Sequence, residues 1–333
     1  MSERGGRFPP RYDGSMSFSA ILLALLLEQA RPLGPGNGVH AAMRAWVRMA
    51  RLNFDAGRHP HAGLAWSVAV LLPTLVALAI HWLLATTVGW FFAVLWSVAV
   101  LYISLGFRQF SHHFTEIRDA LEAGDDREAQ RLLAAWRQVE SQELGTSEIV
   151  RQVIEHSVLA AHRHVFGVLA WYSVLAALGL GPAGAVFYRL SEFVPRYWSH
   201  QGGAQLHPVS AALLNTSSHI WNLIDWVPAR ITALGFAVVG SFEDAIDAWR
   251  TYAQQSDGIS DQDGIILAAT SGAVNVRLGS ETPAPSSESS GPAQTVGQAP
   301  QLGHLRSIVG LVWRSVVLWM VLLALLSLAK LLG

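Results

Sequence analysis

The chain has 333 residues, 51% of them apolar and only 14% Asp, Glu, Lys or Arg, against about 25% charged in ordinary soluble domains. A chain this long can build one or two full cores, so the shortage of charge points to surface that faces lipid. The formal net charge of -1 excludes a general nucleic-acid-binding face, and the lack of cysteine excludes disulfides, thiolate metal sites and cysteine nucleophiles.

In chain order, residues 1–15 are polar and contain Gly and Pro; they read as a disordered N-terminal extension, with Met16 a candidate natural start. The apolar run Met16 to Leu27 follows Arg4, Arg7 and Arg11 and has the outline of a signal peptide. It lacks a small-x-small cleavage site and is followed at once by Glu28 and Arg31, so it is expected to be an uncleaved anchor. Between Ala30 and Gly63, five arginines (Arg31, Arg44, Arg48, Arg51 and Arg58) face one acid, Asp55, which assigns this loop to the cytoplasm. Leu64 to Leu84 and Val88 to Phe107 are each long enough to span, and little more than Ala85, Thr86 and Thr87 separates them, so they form a tight hairpin. Pro73 is tolerated inside a membrane helix, and His81 suits an interfacial or hydrogen-bonded role. Residues 16–107 are thus an anchor, a basic loop and a transmembrane hairpin.

Residues 108–164 are charged like a soluble domain and are expected to be a helical cytoplasmic segment. Phe114, Ile117, Leu121, Leu132, Leu133 and Trp136 recur at helical spacing around the turn Ala123 to Asp126. Asp125 with Glu128 has the form of a capping box, and Thr146-Ser147-Glu148 opens a further helix. A third apolar region runs from Val165 to Leu180, breaks at Gly179, Gly181, Pro182 and Gly184, and resumes through Tyr188, as in a kinked span or a re-entrant segment. The apolar stretch to Val239 is expected to be too short to span comfortably, and Phe242 to Tyr252 is amphipathic. Residues 165–280 therefore form one region of kinked membrane helix and Pro-Ala-Arg sequence. Residues 281–303, rich in Pro, Ser, Gly and Gln, read as a flexible linker, and residues 304–333 hold a final span, Ser315 to Leu332, whose one charge, Lys330, can snorkel. The fold class is all-α: a polytopic integral membrane protein with four to five transmembrane helices, multi-pass in a bacterial inner membrane. The lipid bilayer is its expected partner, nucleic acid is not, and a homo-oligomer stays open.

Three constellations could carry chemistry. His112 and Glu116 are four apart on one helix face beside His113, a metal pair in need of a third ligand, or a solvated helix start. His156, His162 and His164 stand with Glu155 and Arg163 where a helix enters the membrane, an active-site mouth or a set of headgroup contacts. Arg230, two residues after Pro228, is placed either for bidentate phosphate or carboxylate binding or for a buried salt bridge with Asp225. No phosphate-binding Gly loop, nucleophile elbow or H-E-x-x-H motif is present. A transporter is disfavoured because the clear spans lack paired ionisable residues at mid-membrane depth.

Several separated stretches resemble, in order, the CobD/CbiB cobalamin-biosynthesis family and its AmpE relatives. Met16 to Leu33 resembles the opening helix, and Ala-Leu-Glu-Ala-Gly-Asp within Thr115 to Leu133 resembles the first cytoplasmic segment. Gly181-Pro182-Ala183-Gly184-Ala185 with Tyr188-Arg189, Pro228-Ala229-Arg230-Ile231, and Gly272-Ala273 with Val276-Arg277-Leu278-Gly279 resemble three further family stretches. The resemblance implies an adenosylcobinamide-phosphate synthase, which joins a carboxylate of adenosylcobyric acid to an aminopropanol or its phosphate with ATP and a divalent metal such as Mg. By that resemblance Glu155 and Glu140 are the candidate catalytic residues, and Arg230, Arg277, Asp225 and His164 the candidate substrate-binding ones.

The sequence also departs from the pattern. The family's Arg-Asp-Thr falls on Val139, Glu140 and Ser141, and its long acidic run falls on Glu155, His156, Leu159, Ala160, Arg163 and His164, where only Glu155 matches. Its early Gly-Asp-Pro is replaced by Glu28-Gln29-Ala30-Arg31-Pro32. These losses, with Asp225-Trp226-Val227-Pro228, look closer to AmpE, and the alternative expectation is a non-catalytic membrane sensor linked to β-lactamase regulation.

Overall fold

The computed structural model describes residues 14–31, 38–55, 59–137, 144–201, 209–255, 261–279 and 297–332. Among them the chain forms α-helices and one π-helical turn, and the sole extended pairing is a single bridge between Val276 and Gln298. The helices are α1 (Gly14–Ala30), α2 (Gly38–Phe54), α3 (His59–Thr87), α4 (Trp90–Ser104), α5 (Phe107–Glu122), α6 (Asp126–Arg137) and α7 (Thr146–Ala161). The π-turn His162–Phe166 joins α7 to α8 (Gly167–Ala177). Then come α9 (Ala183–Gln201), α10 (Ala211–Val239), α11 (Phe242–Gln255), α12 (Gln262–Val274) and α13 (Leu302–Leu332).

Among the described residues, four stretches are long and apolar enough to cross a membrane: His61–Thr87, Thr146–Ala177, Ala211–Val239 and Leu302–Ala329. The chain is an all-α membrane protein. α3 keeps Pro73 inside its 29 residues, because neighbouring groups in a packed membrane helix can take up the freed carbonyl. The second arm of the hairpin is shorter than its apolar run: α4 ends at Ser104, and after Leu105 and Gly106 a separate amphipathic helix, α5, begins. The stretch ending at Val239 also differs from expectation. It belongs to a 29-residue helix that starts at Ala211 behind a Ser210 cap, so α10 is long enough to span; its polar residues Asn215, Thr216 and Asn222 hide that length from hydropathy.

The third apolar region resolves into two helices. α8 stops at Ala177, the chain turns through Gly179 and Gly181, both at positive φ, and α9 packs back on α8. The return is close because Gly184 has no side chain: a Cβ there would sit 2.1 Å from the Trp171 carbonyl oxygen.

α7, the π-turn and α8 form the centre, touched by α5, α6, α9, α10, α12 and α13. One contiguous apolar core runs through them, with Phe166, Leu169, Tyr172, Tyr188, Trp198 and Phe236 among its largest buried side chains. Tryptophans tie helices together through their indole N–H groups. Trp46 donates to Ala69 O at 3.2 Å, Trp96 to Ala77 O at 3.1 Å, Trp171 to Ile224 O at 3.2 Å and Trp198 to Val47 O at 3.3 Å. The apolar exterior lies on α1, α3, α4, α10 and α13, where Leu75, Phe91, Leu223 and Leu326 are exposed.

In the amphipathic hairpin of α5 and α6, Asp125 Oδ1 accepts the Glu128 N–H at 3.0 Å and so caps α6. The Thr146 hydroxyl donates to Asp126 Oδ2 at 2.6 Å, fixing the start of α7 beside the hairpin. Residues 281–296, most of the linker-like stretch, lie outside the described residues, but its end pairs back: Arg277 N–H donates to Gln298 O at 2.9 Å and Gln298 N–H to Asn275 O at 3.2 Å.

Candidate functional site

Two of the resembling stretches, on α9 and α10, meet at the π-turn, and a third, ending at Gly279, is tied through Glu155 to α7 two turns earlier. A π-turn inserts one extra residue into a helical turn and is frequent at functional sites; here it presents His162 toward α10. His162 Nε2 lies 2.9 Å and 3.2 Å from the two Asp225 carboxylate oxygens, and its Nδ1 lies 2.9 Å from the Thr232 hydroxyl. Asp225 and Thr232 are seven apart, two turns of α10, and so share a face. The Tyr188 hydroxyl, carried by α9, donates to Asp225 Oδ1 at 2.7 Å. The arrangement that satisfies every partner has Nε2–H donated to Asp225 and Nδ1 accepting from Thr232. All four residues are essentially buried. Tyr188 reaches Asp225 over Gly167: a Cβ there would lie 2.0 Å from the ring, so that turn has no room for a larger residue.

A second layer of charge borders this cluster. Arg163 pairs with Asp263 of α12. On α9, Arg189 Nη1 donates to Glu192 Oε2 at 2.7 Å, and Arg196 Nη1 stands 2.7 Å from Oε1 without the alignment of a hydrogen bond. Burial works to raise the Glu192 carboxyl, but Arg196, Arg189 and Arg163 prevail and hold it below its ordinary value of 4.5. Three nitrogens in this region are buried without a hydrogen-bond partner: Arg163 Nε, His164 Nδ1 and Arg277 Nε. Unsatisfied buried polar atoms are costly, and at a site the two arginine N–H groups are those an anionic ligand would meet.

Glu155 Oε1 accepts from Arg151 Nη1 at 2.7 Å and from the Gly279 N–H at 2.8 Å, while Arg151 also donates to Gly279 O at 2.8 Å. Glu155 thus ties the Gly272 to Gly279 stretch to α7. Asp225 occupies the centre of the cluster. The expected alternative of a salt bridge between Arg230 and Asp225 is not formed: Asp225 is taken by His162 and Tyr188, and Arg230 points the other way. Its guanidinium lies 4.0 Å from the Trp226 ring centroid, and Nη1 donates to Trp226 O at 2.9 Å and Gln262 Oε1 at 2.8 Å. His164 is half-buried beside Gly106, and Arg277 sits next to the Val276 bridge. Glu140 lies outside the described residues. His81 is buried, with Nδ1 3.4 Å from the Ser97 hydroxyl.

Tyr188, Thr232, Glu192, Asp263 and Gln262 were not identifiable as site residues from single motifs. The available signals were the Tyr188, Glu192 and Arg196 spacing of four along α9 and the seven-residue step from Asp225 to Thr232.

These contacts also test the magnesium and nucleotide implied by the resemblance. A nucleotide-bound magnesium needs one or two available carboxylates. Glu155, Asp225, Glu192 and Asp263 are each engaged by an arginine or by the His162 and Tyr188 pair, so these four acids do not fit such an ion as they stand.

The family described as CobD/Cbib protein matches residues 17–312. The chain belongs to the CobD/CbiB family. The cobalamin biosynthesis protein CobD of Stutzerimonas stutzeri A1501 is 31% identical to it over 315 residues, covering 92% of this chain and 96% of the relative. The CobD of Chromobacterium violaceum is 30% identical over 311 residues, covering 93% and 89%. A CobD of Leptospira interrogans is 25% identical over 266 residues, covering 78% and 80%. No solved structure matches this CobD/CbiB-family chain.

Proposed function

We propose that this chain is a multi-pass protein of the bacterial inner membrane that acts in cobalamin biosynthesis, at the step joining a corrinoid carboxylate to an aminopropanol or its phosphate. The observation that carries this reading is the buried cluster of His162, Asp225, Tyr188 and Thr232, in which the family-like stretches of α9 and α10 close on the π-turn, while Glu155 ties the Gly279 stretch to α7. The names of the CobD relatives favour it over an AmpE-like sensor. The basic segment holding Arg44, Arg48 and Arg51, which the structure folds as helix α2 and not as an open loop, supports the inner-membrane orientation.

Amide formation from a carboxylate and an amine needs the acyl oxygen to leave with an activating group, as the phosphate of an acyl phosphate made with the ATP that the family resemblance implies; it also needs cations to hold that anionic donor and a group to take the proton released by the amine. Arg163 and Arg277, each with a buried Nε that has no hydrogen-bond partner, are the candidates for the first task. The Asp225 and His162 pair is the candidate for the second, with Asp225 holding the imidazole so that Nδ1 is its acceptor nitrogen. Glu155 acts by positioning, through its hold on Gly279, rather than as the base. The test is rescue of a strain that lacks its cobinamide-forming enzyme and is grown without exogenous corrinoid. The expected result is rescue by the wild-type gene, lost with His162→Ala while the protein remains in the membrane fraction. Failure of the expressed wild-type protein to rescue would overturn the proposal.

A further inference from the structure

The exposed outer part of α5 carries a grouping that the corrinoid reading does not use. His112, His113 and Glu116 are the one group of three or more His, Asp or Glu residues among the described residues whose ligand atoms lie close enough to hold a metal ion, all within 4.8 Å of one another. Glu116 Oε2 is 3.1 Å from His112 Nδ1 and 3.6 Å from His113 Nδ1. A four-coordinate ion with bonds of about 2.0–2.2 Å holds its donors about 3.4 Å apart, and the two observed separations bracket that value. The helix supplies the geometry: His112 and Glu116 are one turn apart, and His113 reaches the same carboxylate from the adjacent row at i+3.

A simple ion pair accounts for the contact between His112 and Glu116. It does not require a second imidazole to turn its Nδ1 onto the same oxygen. Trp136 of α6 walls one side, with its ring 6.0 Å from that of His113 and 4.4 Å from that of His156 on α7. The three side chains are open to solvent, so the remaining coordination positions face solvent. Two imidazoles and one carboxylate suit borderline divalent ions and disfavour magnesium, which takes oxygen ligands. We propose that His112, His113 and Glu116 bind a divalent ion of the zinc, cobalt or nickel class on the outer face of α5.

The experiment uses the full chain, purified without a histidine tag in detergent and titrated with Co2+ while the visible absorption of the nitrogen-ligated ion is followed. The expected result is one ion per chain, displaced by Zn2+ and indifferent to excess Mg2+. His112→Ala and His113→Ala should each weaken binding by more than the roughly 10–100-fold typical of losing a supporting residue, and Glu116→Gln should weaken it too. His200→Ala and His219→Ala, exposed histidines elsewhere, should leave it unchanged. Because the three ligands are exposed, the variants are expected to keep the helical circular dichroism of the parent. Binding that survives in the His112→Ala/His113→Ala double variant, or Co2+ binding no tighter than Mg2+ binding, would overturn the proposal.

Discussion

The outer spans α3 and α13 and the central pair α7 and α8 solve the same problem in opposite ways. In the most apolar part of α3 and of α13, 28% of residues are buried inside the protein, and for α7 and α8 the share is 61%. The outer helices leave most of their residues outside the protein interior and so can be uniformly apolar. The central one is mostly buried among other helices, which lets it carry His162 and Arg163 because each finds a partner within the fold. High hydropathy therefore marks the edge of this protein, and the moderate hydropathy of Thr146–Ala177 marks its middle.

The sharpest way to break this contrast is to remove a central partner. Asp225→Ala leaves His162 and Tyr188 without their shared acceptor, and unpairing a buried group of this kind costs about 3–5 kcal/mol. Thermal unfolding of the purified protein in detergent should show that loss; an unchanged Tm would mean that the cluster is not a structural tie. Next comes packing without polarity. Gly184→Ala forces a methyl against the Trp171 carbonyl, and overpacking of that sort costs about 1–3 kcal/mol. Ala183→Gly in the same turn provides the control for helix propensity.

A third test concerns charge. The Glu192 carboxyl is held below its ordinary value, so its contribution to stability is complete above about pH 4.5 and is lost as pH falls through the lowered folded value. Melting curves from pH 7 to pH 3.5 should show that acid limb, and it should flatten in Glu192→Gln. The smallest effect belongs to the periphery: Leu326→Ala, on a side chain 63% exposed in α13, should change stability by no more than about 0.5 kcal/mol. A large loss there would place Leu326 in an interface instead of lipid.

The same contrast explains what could be read from the sequence. α3 and α13 are legible because their environment is uniform, so composition alone identifies them. α10 is not, since its first half carries Asn215, Thr216, Ser217 and Asn222 in a helix that is half buried. Asp225 and the His162 region were visible as polar residues in apolar surroundings. Their pairing was not, because Asp225 had a nearer candidate in Arg230, and only the facing of α10 and the π-turn decides between them. Tyr188 lay inside a resembling stretch, but its role depends on the small surface of Gly167, a property of two helices together. His113 was seen as a neighbour of the His112 and Glu116 pair, and only side-chain direction makes it the third donor.

The bridge between Val276 and Gln298 returns the chain, after residues 280–296, to where it left. Leu305, Ile308, Leu311 and Val312 then bury themselves in the shared core, and Arg306 meets Glu122 of α5 at 3.1 Å. The position of α13 is thus set by docking at its entrance rather than by the covalent connection. A gene divided within 280–296 would encode two pieces that carry their own address for reassembly, and insertions at that point would leave the rest of the bundle in register.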